Sequence, residues 1–160
     1  MKRFLRGFLF AGKGVIACIA GERNMRIHLC ITFYVLLLMP FYGFTRGERL
    51  AVFADIGMVI AAECFNTAIE ALTDLVCPDD NFLAGFTKDA AAGAVLSAAL
   101  AAAGIGIPLY ADFEIIGEII EWLSGHAAAI IGLIVSAAAW VGFICAPLKK
   151  YDRLKHGDPK

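Results

Sequence analysis

Four polar residues recur along one apolar stretch of this chain: Glu63, Asn66, Glu70 and Asp74, spaced three, four and four apart. At 100° per residue they fall within an arc of roughly 80° on one helical face. Asp55 lies near the same stripe, and the other face is Ile, Val, Leu, Ala and Phe. A carboxylate inside a membrane helix costs ~2.5–3.5 kcal/mol even on the gentler scales, and three on one face also repel one another. Ionisable residues inside a membrane are functional by default. The structural alternative is that they pair with Arg23, Arg26 or Lys88 and hold a bundle together. From Asp74 to Glu63 the stripe covers roughly 16 Å. A stripe running from an interface into the membrane suits a reaction between a soluble and a membrane-embedded substrate. It equally suits an ion or proton path.

Two further clusters bear on the choice. Gly21, Glu22, Arg23 and Asn24 lie just before the first long apolar run, and Lys88-Asp89 opens the third. With Glu70 and Asp74 they can gather carboxylates, an amide and a lysine at one surface, the set that phosphoryl transfer needs. Mg²⁺ takes hard oxygen ligands and keeps only one or two protein carboxylates beside substrate phosphates. A lysine neutralises phosphate charge, and a carboxylate accepts a hydroxyl proton. Gly7, Gly12 and Lys13 fit the frame of a P-loop, but the next residue is Gly14 rather than Ser or Thr, and no strand precedes it. His28 stands alone at a span entrance and reads as a structural histidine. Cys18, Cys30, Cys64, Cys77 and Cys145 are scattered, in no metal or disulfide pattern, and read as small apolar residues.

The elements that must position these groups are membrane helices. Of 160 residues 60% are hydrophobic and 18% charged, against ~25% in soluble domains, and the mean hydropathy is +0.74. A soluble domain this short could not hide so much apolar surface. Spans are expected over 27–44, 50–76, 90–110 and 127–148, with a turn at 45–49. Residues 1–21 carry Lys2, Arg3, Arg6 and Lys13 among Phe and Leu, the pattern of an interfacial amphipathic helix. Lys13 breaks the apolar run that a cleaved signal would need. The segment with Asp112, Glu114, Glu118 and Glu121 suggests a second interfacial helix, and the chain closes on a basic tail with Lys149, Lys150, Arg153 and Lys155. Basic ends place both termini in the cytoplasm of a cell-membrane protein, so the loop around Asp79, Asp80 and Asn81 also faces ATP. Small residues such as Ala91, Gly93, Ala94, Ser97 and Ala98 read as close helix packing. Nothing in the sequence points to nucleic acid.

Glu22-Arg23-Asn24 with Arg26 and His28, then Glu63, Asn66-Thr67-Ala68-Ile69-Glu70 and Asp74, then Lys88-Asp89 followed by Gly93-Ala94-Val95, together resemble the prokaryotic diacylglycerol kinase family, which includes the undecaprenol kinases. The likeness covers about 13–110. It implies an all-α membrane fold of a surface helix and three spans, in a homotrimer with active sites between subunits. It implies ATP- and Mg²⁺-dependent phosphorylation of a membrane lipid alcohol, diacylglycerol or undecaprenol. By the resemblance Glu63 is the general base, and Glu22 and Glu70 hold the Mg²⁺ that accompanies ATP. Lys88, Asp89 and Arg3 handle the nucleotide together with Glu22 and Glu70, supported by Asn66 and Asp74.

The chain departs from the family in adding an acidic linker, a fourth span and the basic tail. Residues 1–110 are thus expected to form the kinase domain and 111–160 an extension. Phe10 stands where some members carry Tyr. The motifs look more like the undecaprenol kinase branch. The rival reading, a small ion- or proton-coupled carrier using Glu63, Glu70 and Asp74, leaves Glu22 and Lys88-Asp89 without a role, and no internal repeat supports it.

Overall fold

A computed structural model describes residues 2–79 and 81–147, with only the backbone for Lys2 and Arg3. The expected roles of Arg3, Asp80 and the basic tail therefore lie outside the described residues. Six α-helices follow one another: α1 (Lys2–Gly21), α2 (Arg23–Leu38), α3 (Arg46–Val76), α4 (Phe82–Tyr110), α5 (Phe113–Ser124) and α6 (Ala127–Cys145). The fold is that of an all-α membrane protein. Five of these segments are long and apolar enough to cross a membrane, namely α1, α2 with its 3-10 extension, α3, α4 and α6. The four expected spans are among them. α1 qualifies on length and composition, and its Arg6 and Lys13 are what argue for an interfacial position.

Helix ends differ from expectation where side chains cap them. The expected turn at 45–49 is already helix. Thr45 is the N-cap of α3, accepting from the Glu48 amide while the Glu48 carboxylate accepts from the Thr45 amide. That reciprocal capping box satisfies two backbone donors and draws Arg46 and Arg49 into the first turn. α4 likewise starts eight residues before the expected 90, because the Asn81 side chain accepts from the Leu83 amide. Lys88 and Asp89 consequently stand on the second turn of α4. At the other end of α2, Pro40 opens a 3-10 turn (Met39–Tyr42), and Gly43 closes it at φ 55°. That left-handed backbone is open to glycine at little cost.

α3 and α4 form the main helix pair. α4 presents Ala91, Val95 and Ala98 to the interior, small enough for close approach. α3 buries Val52, Asp55, Val59, Glu63, Asn66 and Thr67, one helical face whose first half is largely apolar and whose second half is polar. Phe65, Leu72, Leu75 and Val76 of α3 are exposed. The helix is thus turned with its polar groups inward, as a lipid surround requires.

α6 packs on α2. The buried Arg26 of α2 donates from Nε to Ile19 O (2.9 Å) and from Nη2 to Ala20 O (3.1 Å) at the end of α1. Its Nη1 donates to Phe143 O and Ala146 O at the end of α6, and the guanidinium lies 4.6 Å from the Phe143 ring. One side chain therefore caps the carbonyl ends of two helices, where a cation also complements the dipole. At the opposite end Tyr42 donates to Tyr110 O and Tyr110 donates to Val35 O, both at 2.9 Å.

Candidate active site

Glu63 sits in the middle of α3 and is 1% exposed. Thr67, one turn on, returns its hydroxyl to the Glu63 carbonyl at 2.9 Å, so it satisfies the backbone rather than the carboxylate. The carboxylate faces His28 of α2, whose Nε2 stands 3.2 Å from Oε1. The contact is at ion-pair distance but off the direction of a hydrogen bond, and Oε1 accepts none. The carboxylates of Glu22 and Glu70 both lie within Coulombic reach of Glu63. Glu22 occupies the break between α1 and α2 as N-cap of α2, with its amide bonded to Cys18 O at 2.8 Å. The elbow that Arg26 ties down thus fixes where Glu22 stands.

One turn beyond Glu63, Asn66 Nδ2 donates to Glu70 Oε1 at 2.9 Å. The other amide atom, Asn66 Oδ1, is buried without a hydrogen-bond partner. Another turn on, Asp74 accepts from Lys88 of α4. Asp89 is exposed. The sequence-predicted residues therefore resolve into a buried group of Glu63, Asn66 and Glu70 approached by Glu22, and a half-exposed Asp74–Lys88 pair nearer the helix ends. Arg26 turns to backbone carbonyls, and among the described residues Asp74 takes the pairing role with Lys88 that the stripe's structural alternative foresaw.

The sequence reading of His28 as a structural histidine did not anticipate its meeting with Glu63. Its spacing from Glu63 carries no period because the two lie on different helices. The available signal was its place in the motif that follows Glu22, five residues after the start of α2 at Arg23. The ring also ends a cavity of about 560 Å³ between α2, α3 and α4, lined by Val52, Val59, Tyr34 and Tyr110 and crossed by the buried Asp55.

The donor set suits Mg²⁺. Glu22 and Glu70 supply hard oxygens, and no group of three or more His, Cys, Asp or Glu among the described residues forms a closed metal cage. Mg²⁺ keeps only one or two protein carboxylates beside phosphates and water, so Glu22 and Glu70 would be ligands of the right kind, with the Asn66 amide next to Glu70.

The sequence model of the family described as "Prokaryotic diacylglycerol kinase" matches residues 9–110. An undecaprenol kinase of Bacillus subtilis is 34% identical over 110 residues, covering 69% of this chain and 89% of that protein. A diacylglycerol kinase of Synechocystis is 37% identical over 106 residues, covering 64% of this chain and 59% of that protein, so the matched region spans less than two thirds of its length. No solved structure matches the chain.

Proposed function

The chain belongs to the prokaryotic diacylglycerol kinase family, and from that premise we propose that this membrane lipid kinase phosphorylates undecaprenol with Mg²⁺-ATP. The observation that carries the reading is the buried Glu63, with Glu22 and Glu70 near it and a lysine held at the same end of the bundle. Glu63 takes the proton of the lipid hydroxyl. The hydroxyl oxygen bonds to the γ-phosphorus as the bond to the ADP oxygen breaks, and the proton stays on Glu63. Glu22 and Glu70 would hold the Mg²⁺, which neutralises charge on the phosphates when bound. Asn66 fixes Glu70 through its amide. Lys88, Asp89 and Arg3 would contact the nucleotide, and Asp74 keeps the Lys88 ammonium in place.

The apolar cavity that ends at His28 suits the hydrocarbon tail of the acceptor, since His28, which lines it, also meets the base. Undecaprenol is favoured over diacylglycerol because the match covers most of the undecaprenol kinase and little more than half of the diacylglycerol kinase. Residues 1–110 form the kinase domain and 111–160 an extension, a division supported by a match that ends at 110. The site end faces the cytoplasm and both termini lie on that side. The working unit is a homotrimer, for which the exposed Gly93, Ala94 and Ser97 leave close-packing surface on α4.

The test is ATP consumption by protein reconstituted with undecaprenol or with diacylglycerol, beside Glu63→Gln. Turnover with undecaprenol that drops about 10²–10⁴-fold in Glu63→Gln is expected. Faster turnover with diacylglycerol would reverse the substrate assignment, and none with either lipid would refute the kinase reading.

A further inference from the structure

Glu63 has two needs that its own helix does not meet. A general base must be aimed, within a fraction of an ångström, at the proton it takes. It must also stay charged although it is almost fully buried, with the carboxylates of Glu22 and Glu70 close by. Asn66 is committed to Glu70, and Thr67 to the Glu63 backbone. Two basic side chains of this end among the described residues are engaged elsewhere: Arg26 spans four carbonyls of α1 and α6, and Lys88 holds Asp74. The side chain that meets the Glu63 carboxylate is His28, at 3.2 Å, from a different helix.

We propose that His28 is the positioning residue of the reaction: its Nε2–H holds Glu63 Oε1, fixing the carboxylate rotamer and leaving Oε2 to take the hydroxyl proton. The proposal rests on the reading of Glu63 as the base. Three features carry it. Nε2 is the ring nitrogen that meets the carboxylate, at 3.2 Å, so the tautomer protonated there is the one that can donate. The side chain is mostly buried and His28 lines the cavity, so one residue meets both the carboxylate and the apolar space along which an acceptor tail would lie. Oε1 is buried and accepts no hydrogen bond as it stands, so nothing competes with an imidazole turned into line with it. Catalytic hydrogen bonds often tighten only once substrates are bound.

The role is distinct from packing, and substitutions separate the two. In Gln the amide nitrogen reaches about as far from the backbone as His Nε2, whereas in Asn it reaches only as far as Nδ1. The experiment measures kcat and the KM for MgATP of His28→Ala, His28→Asn and His28→Gln, in full-length reconstituted protein with the lipid that wild type accepts. Thermal unfolding in the same detergent is followed alongside. His28→Ala and His28→Asn should lose about 10²-fold in kcat, as a displaced catalytic group does, with KM for MgATP within about twofold of wild type. His28→Gln should recover at least about a tenth of the wild-type kcat. Unfolding midpoints should stay together. Wild-type kcat in His28→Ala, or a His28→Gln no faster than His28→Asn at equal unfolding midpoint, overturns the proposal. If His28→Ala fails to fold, His28→Gln against wild type decides alone. Wild type that phosphorylates neither lipid defeats the kinase reading itself, and that outcome is visible before any variant is compared.

Discussion

α3 and α6 both qualify as membrane spans, yet they are built into the molecule in opposite ways. α3 carries five carboxylates and an amide within a span of hydropathy 1.5, and it buries six residues, four of them polar. α6 is more apolar, at 2.3, and buries none. Apolar character therefore predicts which helices meet lipid, and within a membrane the interior goes to the polar ones. In water the hydrophobic effect would have driven α6 inward. In lipid that drive is absent, and helices associate through packing and hydrogen bonds. α6 is held at a few points: Arg26 at its end, Phe33 against Trp140, and Tyr34 bonded to Ser136. α3 is held along its length by small residues of α4, and its polar half is left free for chemistry.

The comparison breaks most sharply at Arg26. If α6 hangs on one guanidinium, Arg26→Met should remove about 3 kcal/mol of stability, taking ~1.5 kcal/mol for one charge-assisted hydrogen bond at each helix end. The same substitution loosens the elbow that carries Glu22, so activity should fall with stability. Reversible unfolding in mixed detergent micelles measures the loss. A loss under about 1 kcal/mol would mean that α6 is held by its apolar face after all.

How much of this was legible in the sequence follows from the same contrast. The α3 stripe was legible because Glu63, Asn66, Glu70 and Asp74 repeat at helical spacing against an apolar background, and the inward turn of that face follows from the cost of exposing it to lipid. The helix starts at Arg46 and Phe82 were missed because capping by Thr45 and Asn81 outweighed the charges that read as turns. His28 was read as a structural histidine of an entrance segment, and Arg26 as a candidate partner of the α3 carboxylates. Their partners are 35 and about 120 residues away, and only the register of α2 against α3 and α6 brings them together. No periodicity within one segment encodes that register.

Lys88 tests the other side of the contrast, since its pair with Asp74 lies at the exposed end of the α3 stripe, each side chain being 39% exposed. An ion pair so exposed is worth ~0–1 kcal/mol to stability. Lys88→Met should therefore unfold much as wild type does. The loss should appear in nucleotide handling: one charge-assisted bond to phosphate is worth ~1.5–3 kcal/mol, so the KM for MgATP should rise about tenfold or more. Steady-state kinetics over MgATP concentration distinguishes this from a structural role, in which stability falls and KM stays.

The smallest effect belongs to the mid-membrane contact of α6. Ser136 donates its one hydroxyl hydrogen to Leu133 O at 2.9 Å, so the 3.0 Å contact with Tyr34 has the tyrosine as donor. Interhelical hydrogen bonds of this kind average ~0.6 kcal/mol, because the unfolded chain in a membrane also finds partners. Ser136→Ala and Tyr34→Phe should each cost about that much, and the double substitution should cost little more than either alone. Full additivity in the unfolding cycle would mean that the two hydroxyls do not meet, leaving α6 joined to α2 by Arg26 and the aromatic contacts alone. Because Tyr34 also lines the cavity that ends at His28, Tyr34→Phe reads out a second quantity. If α6 sets that wall, turnover of a long-chain acceptor shifts in Ser136→Ala as it does in Tyr34→Phe, although Ser136 lies outside the cavity.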